Sequence, residues 1–350
     1  MRTRFFALVL FFASASFSIQ HVYAASITNS GSDLINAPAT QVGLTANEEL
    51  WQTLQKAAVA ARALSYQGIF TYQTGQQSKS VQITHYFNGQ GEFSRNVVLD
   101  ATPREVFSQG SDLVIFSPRN EKIVIEKRRG QNMFPAVLPT NLSVVRENYD
   151  LRLGDLERVA GRPAQMIYLE PKDNLRYSYR FWVDTEYGLL LKSAMMSGRN
   201  ETMEQIGFVQ IALLNKIDLD WFVPTIDSKK NYVMEEDTPV ITSSKVGDKF
   251  KVAEWVIKDL PTGYRKVDQI KRMVHGKPVP VTHVIFSDGL ASVSLFIEPV
   301  IKGTKPKTGH MLVGNTSFYA SVNSGHQITV VGEVPETTVA QIANAVSFKK

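Results

Sequence analysis

The chain has 350 residues, 43% of them hydrophobic and 20% charged, with 38 Lys and Arg against 33 Asp and Glu and no cysteine. That length suffices for one large or two medium domains, each with its own core. The lack of cysteine excludes disulfides, thiolate catalysis and cysteine-ligated zinc, and the small basic excess does not call for a nucleic-acid partner.

The first residues read as a leader rather than as fold. Arg2 and Arg4 make a basic start, Phe5 to Phe12 an apolar run, and Val22-Tyr23-Ala24 a small-residue cleavage site, the pattern of a secretory signal peptide. Residues 1–24 are therefore expected to be removed, which takes away two basic residues and no acidic one and lowers the net charge from +5 to +3. With no lipobox cysteine and no later run of the roughly 18–20 apolar residues a span needs, the mature chain is expected to be soluble and exported. Residues 25–46, rich in Ser, Asn, Ala and Thr, are expected to form a disordered extension.

Thr45 with Glu48 three residues on is a capping box. Leu50, Trp51, Leu54, Ala58, Ala61 and Leu64 follow at helical spacing, an apolar stripe suited to packing on a sheet. From Tyr66 to about Leu214 the pattern is strand after strand, broken at Gly75-Gln76-Gln77, Asn88-Gly89, Ser117-Pro118-Arg119-Asn120, Gly161-Arg162-Pro163 and the stretch Asp184 to Gly188. Sequential hairpins behind one helix argue for a single large, curved antiparallel sheet, because a parallel sheet would need helices between its strands.

The signal weakens between about Val223 and Lys251, where an interdomain linker is expected over 223–250. A second domain follows over 251–350. Its central hairpin runs from Val281 to Val300 around Ser287-Asp288-Gly289, a tight-turn signal. Val293 and Leu295 should face the core, with Ser292, Ser294 and Phe296 on the opposite face. Pro335-Glu336 should start a closing helix with Val339, Ile342, Ala343 and Val346 on one side.

Chemistry is hard to find. There is no nucleophile elbow, phosphate loop, zinc-protease helix or calcium loop, and the five histidines beyond the leader (His85, His275, His283, His310, His326) are not paired at metal spacing. No cofactor, metal site or catalytic residue is expected. Three stretches remain. Lys127-Arg128-Arg129 suits either a charged hairpin tip, the favoured reading, or a grip on lipid phosphates or an acidic peptide. The segment Met133 to Pro139, apolar but with two prolines, must either tuck into the domain or cover an apolar cavity as a flap. Arg176 to Val183 reads as an aromatic core face (Tyr177, Tyr179, Phe181) backed by an outer ladder of Arg176, Arg180 and Trp182, a surface that could also dock a peptide.

Several runs together resemble the MucB/RseB family of periplasmic negative regulators of the envelope-stress sigma factor. They are Ser65-Tyr66-Gln67-Gly68, Pro103-Arg104-Glu105, Arg158 to Ala164, Arg176 to Ser193, Glu201-Thr202-Met203-Glu204-Gln205, Ser287 to Pro299 and Val330 to Pro335. They fall in order from about Glu48 to the end of the chain. The resemblance implies an α+β protein: a large N-terminal domain over 47–222, like the lipoprotein carrier LolA in being an open antiparallel β half-barrel with helices, and a small C-terminal α+β domain with an antiparallel sheet and a terminal helix. It implies a non-enzymatic regulator that binds the periplasmic segment of a single-span anti-sigma factor, shields it from regulated cleavage and is released by lipopolysaccharide or another acylated ligand. A periplasmic lipid or lipoprotein carrier is the rival reading, and self-association into a homo-oligomer stays open. On this footing the lipid-contact residues are expected to be Met133, Phe134, Val137 and Leu138, with Lys127, Arg128 and Arg129 at headgroups. Partner contacts are expected at His283, Ser292, Ser294, Phe296, Arg176 and Arg180.

Overall fold

A computed structural model describes residues 45–348 apart from 101, 103, 111, 118–120, 128–132, 225–231, 237–254, 273–278, 302 and 304. The expected leader, almost all of the extension, Arg128, Arg129 and His275 lie outside the described residues, as do most of the expected linker and the side chain of Lys127.

Helix α1 (Ala46–Ala63) begins where the capping signal places it: the Thr45 hydroxyl accepts the Glu48 backbone N–H at 3.3 Å. Glu48 and Glu49 sit in the first turn and Arg62 in the last, so the charges complement the helix dipole. Its stripe of Trp51, Leu54, Ala57, Ala58 and Ala61 is buried against the large sheet.

That sheet has twelve strands. The first six are β1 (Tyr66–Thr74), β2 (Gln77–Phe87), β3 (Glu92–Val98), β4 (Glu105–Gln109), β5 (Asp112–Ser117) and β6 (Lys122–Lys127). A short helix α2 (Ser143–Asn148) then leads into β7 (Tyr149–Val159), β8 (Arg162–Pro171), β9 (Ser178–Asp184), β10 (Leu190–Met196) and β11 (Thr202–Leu213). Each hairpin pairs neighbours in sequence, and β1 pairs β11, so the two runs join in the order β6-β5-β4-β3-β2-β1-β11-β10-β9-β8-β7. The twelfth strand, β12 (Val233–Glu236), comes from the expected linker and adds to β6 in parallel. The large sheet therefore extends past residue 222, and one of its pairs is not antiparallel. Sequence periodicity could not have shown this, because four residues carry no measurable alternation.

The small domain holds β14 (Arg265–Arg272), β15 (Val281–Ser287), β16 (Ser292–Pro299), β17 (Gly309–Val313), β18 (Thr316–Asn323) and β19 (His326–Gly332) in one antiparallel sheet, ordered β14-β15-β16-β19-β18-β17. Helix α3 (Glu336–Asn344) packs on it, and β13 (Trp255–Ile257) pairs with the terminal β20 (Val346–Phe348). Val284, Phe286, Val293, Leu295, Val330, Val339 and Ile342 are completely buried together. Burying each such side chain contributes on the order of 1.5–3 kcal/mol, enough for a core of its own. The architecture is α+β, with a large N-terminal sheet, helices on it, and a smaller C-terminal sheet domain with a closing helix, as expected.

Candidate functional site

The turn that announces the β15–β16 hairpin is also where the two domains meet. Asp288 is fully buried. One carboxylate oxygen, Oδ1, accepts the backbone N–H groups of Leu290 at 3.0 Å and Ala291 at 2.8 Å, which shapes the turn. The other, Oδ2, faces the large domain, where it receives the Tyr149 hydroxyl at 3.2 Å and lies 2.9 Å from the Arg176 Nε. Arg176 in turn donates to Asp173 and to the backbone carbonyl of Thr262, and its guanidinium lies 5.0 Å from the centre of the Tyr264 ring. Burial raises the Asp288 carboxyl above its ordinary range, against the backbone hydrogen bonds, Arg176 and Tyr149, which all lower it. Burial alone would lower the Arg176 guanidinium, yet the Asp173 hydrogen bond and the Asp288 charge leave it raised, so it stays a cation.

Backbone geometry lets these groups approach. Gly263 has φ +80° and Gly289 φ +98°. A Cβ on Gly263 would stand 2.2 Å from the Asn148 side-chain oxygen and 2.5 Å from an Arg176 nitrogen, so only glycine fits that turn. Leu290 packs against the large domain's core, and Tyr264 and Thr338 both donate to the Leu175 carbonyl, at 3.3 and 2.7 Å. A second contact lies on the β17–β18 turn, where the Asn315 amide donates to the Thr74 hydroxyl at 3.0 Å and the Met203 carbonyl at 2.7 Å. Two separate contacts fix the direction of the small domain on the large one.

Arg176 is thus not part of an exposed partner-docking face. Strand β9 starts at Ser178, two residues later, so the alternation read back to Arg176 does not apply to it. Arg180 does keep the expected outer ladder: it and Arg152 flank the Tyr168 ring at 5.4 and 3.7 Å, and Lys192 lies 4.2 Å from the Trp182 ring. Trp182 itself is buried, with its indole N–H donating to Glu157 at 2.9 Å.

His283 and Ser294 also fail as exposed contacts. They are 2% and 5% exposed, their side chains 3.0 Å apart, and the His283 ring stacks on Phe296 at 4.4 Å. Alternation assigned them correctly to the face opposite Leu295, but both faces of these central strands are covered. Ser292 and Phe296 are half-buried.

The proline-flanked segment tucks in rather than lying over the domain as a flap. Phe134 and Leu138 are buried in the large core, with the Phe134 ring 5.2 Å from Phe70 and 5.0 Å from Phe208. The peptide bond between Phe134 and Pro135 is cis. The segment is tied to α1 by the Arg62 side chain on the Ala136 carbonyl at 3.1 Å and the Gln55 amide on the Thr140 carbonyl at 2.8 Å. Met133 is exposed and Val137 half-buried. Together α1 and this segment pack into the core of the large domain. A cavity of about 10 Å³ lined by Arg162, Tyr187, Leu191 and Ile211 is no larger than a single water needs.

Among the described residues no cluster of His, Asp or Glu is arranged to hold a metal ion. The sequence reading missed Asp288, Tyr149, Asn148 and Asn315 as seam residues. An acidic residue in a tight turn is ordinary turn chemistry, so nothing local marked its second role.

Comparison with known proteins accounts for both domains. The family described as "MucB/RseB N-terminal domain" matches residues 49–226, and "MucB/RseB C-terminal domain" matches 249–347. The Sigma-E factor regulatory protein RseB of Escherichia coli (strain K12) is 26% identical over 297 residues, 84% of this chain and 89% of that protein. The Sigma factor AlgU regulatory protein MucB of Pseudomonas aeruginosa is 27% identical over 315 residues, covering 89% and 93%. A crystal structure of MucB in complex with MucA(peri) superposes with a TM-score of 0.67 at 25% identity, over 86% of this chain and 99% of that one. The chain belongs to the MucB/RseB family.

Proposed function

We propose that the chain is a periplasmic, non-enzymatic regulator that binds the periplasmic segment of a single-span anti-sigma factor and shields it from regulated proteolysis. The carrying observation is the match of both domains, held together by the Asp288 seam, to a relative solved with MucA(peri). The relatives are regulatory proteins for Sigma-E and AlgU, which supports the same role here and a periplasmic site of action. Partner contacts fall on surface left accessible around Ser292, Phe296 and Arg180.

Release by lipopolysaccharide or another acylated ligand belongs to the same reading. An acyl chain would enter by displacing the Phe134–Leu138 segment from α1, with Met133 and Val137 beside it and Lys127, Arg128 and Arg129 at the headgroup. For lipid to expel the peptide it must bind the peptide-free form more tightly, and a ~100-fold preference corresponds to about 2.7 kcal/mol of coupling. A carrier of LolA type would need the same opening but no protein partner, and no observation favours it.

The test is fluorescence anisotropy with the labelled periplasmic segment of the anti-sigma factor, followed by titration with lipopolysaccharide. Saturable binding at micromolar concentration in moderate salt, reversed by lipopolysaccharide, is expected. No binding under those conditions removes the regulator reading. Binding that lipopolysaccharide leaves intact removes the release step only.

A further inference from the structure

The second contact between the domains brings two acidic side chains together. Glu204 follows Met203, whose carbonyl accepts the Asn315 amide, and it lies opposite Thr74 in the β1–β11 pairing. Across the seam, Gly332 is paired with Ser317, two residues past Asn315, so Glu333 leaves the same end of the small sheet that carries Asn315. Tyr72 donates its hydroxyl to Glu204 at 2.7 Å. Both glutamates are partly withdrawn from water. Burial first, and the Glu204 charge second, push the Glu333 carboxyl up to about 7, while burial raises Glu204 against the Tyr72 hydrogen bond.

Among the described residues no cation offsets the pair. Tyr72 on β1 and Tyr179 on β9 both feel Glu204 and Glu333, and burial with those charges keeps their hydroxyls protonated. Neither glutamate is lowered by a lysine or arginine. Helix α3 and strand β17 carry one further titratable pair, His310 with the exposed Glu336 at 3.3 Å. Asp288, at the other contact, faces Arg176, Tyr149 and Tyr264 and is the remaining carboxyl that burial raises at the seam.

We propose that Glu204 and Glu333 make the docking of the two domains proton-dependent: the seam is tight while the pair holds a proton and loosens when both carboxylates are charged. The inference does not depend on the identity of any partner. A carboxyl that takes its proton more readily in the docked form than in the undocked one favours docking at low pH. That advantage is complete below the ordinary glutamate range, falls as pH rises from about 4.5 to about 7, and is gone above it. Across that window the docked-to-undocked ratio should fall by up to about two orders of magnitude.

The chain has no cysteine, so a dye pair can be placed at will. Gln52 on α1 and Thr337 on α3 are exposed helical positions, one in each domain. In the Gln52→Cys/Thr337→Cys protein, single-molecule energy transfer at about pH 5 should give one narrow high-transfer population. At about pH 8.5 a broader, lower-transfer population should appear. Glu333→Gln should keep the narrow population at both pH values, and Glu204→Gln should do the same by an independent route. His310→Gln should leave the wild-type response unchanged. A wild-type distribution that does not move with pH overturns the proposal, as does a full pH response retained in both glutamine variants. Circular dichroism confirms that each variant is folded, and two separate substitutions keep the test decisive should one fail to fold.

Discussion

Arg176 and Asp288 meet at 2.9 Å across the domain boundary, and neither side chain has any solvent exposure. A buried ion pair adds little net stability over a well-packed apolar pair, but removing one partner strands the other charge, at about 3–5 kcal/mol. Its value is directional: Arg176 reaches Asp173, Thr262 and Asp288 at once, and one relative placement of the domains satisfies all three.

Asp288→Ala should therefore lower the unfolding free energy by about 3–5 kcal/mol. It removes the ion pair and the acceptor of the Leu290 and Ala291 N–H groups together. Asp288→Asn keeps the turn acceptor and should cost less. Combining Arg176→Met with Asp288→Asn should recover part of the loss, because no charge is then left stranded. Urea denaturation of wild type, Asp288→Ala, Asp288→Asn, Arg176→Met and the double variant measures this. A double variant as unstable as the two single losses added would show that the residues act separately.

Gly263 and Gly314 offer a matched pair of left-handed positions, at φ +80° and +60°. Alanine at Gly314 meets nothing within 4 Å, so only the backbone strain of roughly 1 kcal/mol applies. Alanine at Gly263 collides with Asn148 and Arg176 as well. Gly263→Ala should be several times more destabilising than Gly314→Ala and should alter small-angle scattering by displacing the small domain. Equal effects on both readouts would mean the seam tolerates the extra carbon.

Much of this was legible in the residues. The Thr45–Glu48 cap, the α1 stripe and the hairpin turns depend on neighbours within a few positions, and the helix and strands sit where those signals place them. Function at the seam depends on residues far apart: Asp288 lies 139 positions from Tyr149, and its turn role fully accounts for its identity locally. Periodicity separates the two faces of a strand but does not say which face meets water. His283 and Ser294 were placed on the right face, yet that face is buried too. Glu333 was visible only as one acid in the apolar run Val330 to Pro335, and its counterpart Glu204 belongs to another domain.

The packing of Phe134 against Phe70 and Phe208 implies that opening the large domain has a cost. Phe134→Ala should destabilise the protein by about 3–5 kcal/mol. Gln55→Ala with Arg62→Ala removes the ties to Thr140 and Ala136, along with the Arg62 bond back to the Ala58 carbonyl within α1, and leaves the Phe134 ring itself unaltered. If acyl chains enter by displacing this segment, the tether variant should bind a fluorescent fatty-acyl probe more tightly than wild type, with little change in stability. Unchanged probe affinity would place the lipid elsewhere.

Asn315 and Thr74 touch at 3.0 Å across the second contact, and the chain has no other cysteine to interfere with a cross-link. Thr74→Cys/Asn315→Cys joined by a short bis-maleimide holds that contact shut. If release requires the domains to shift, the linked protein should bind the anti-sigma segment normally and no longer surrender it to lipopolysaccharide. The same variant left unlinked should respond as wild type does, which separates the effect of the link from that of the substitutions. Lipopolysaccharide that displaces the segment equally from linked and unlinked protein would mean the ligand competes at the peptide surface directly. The seam would then set only the geometry in which the partner is held.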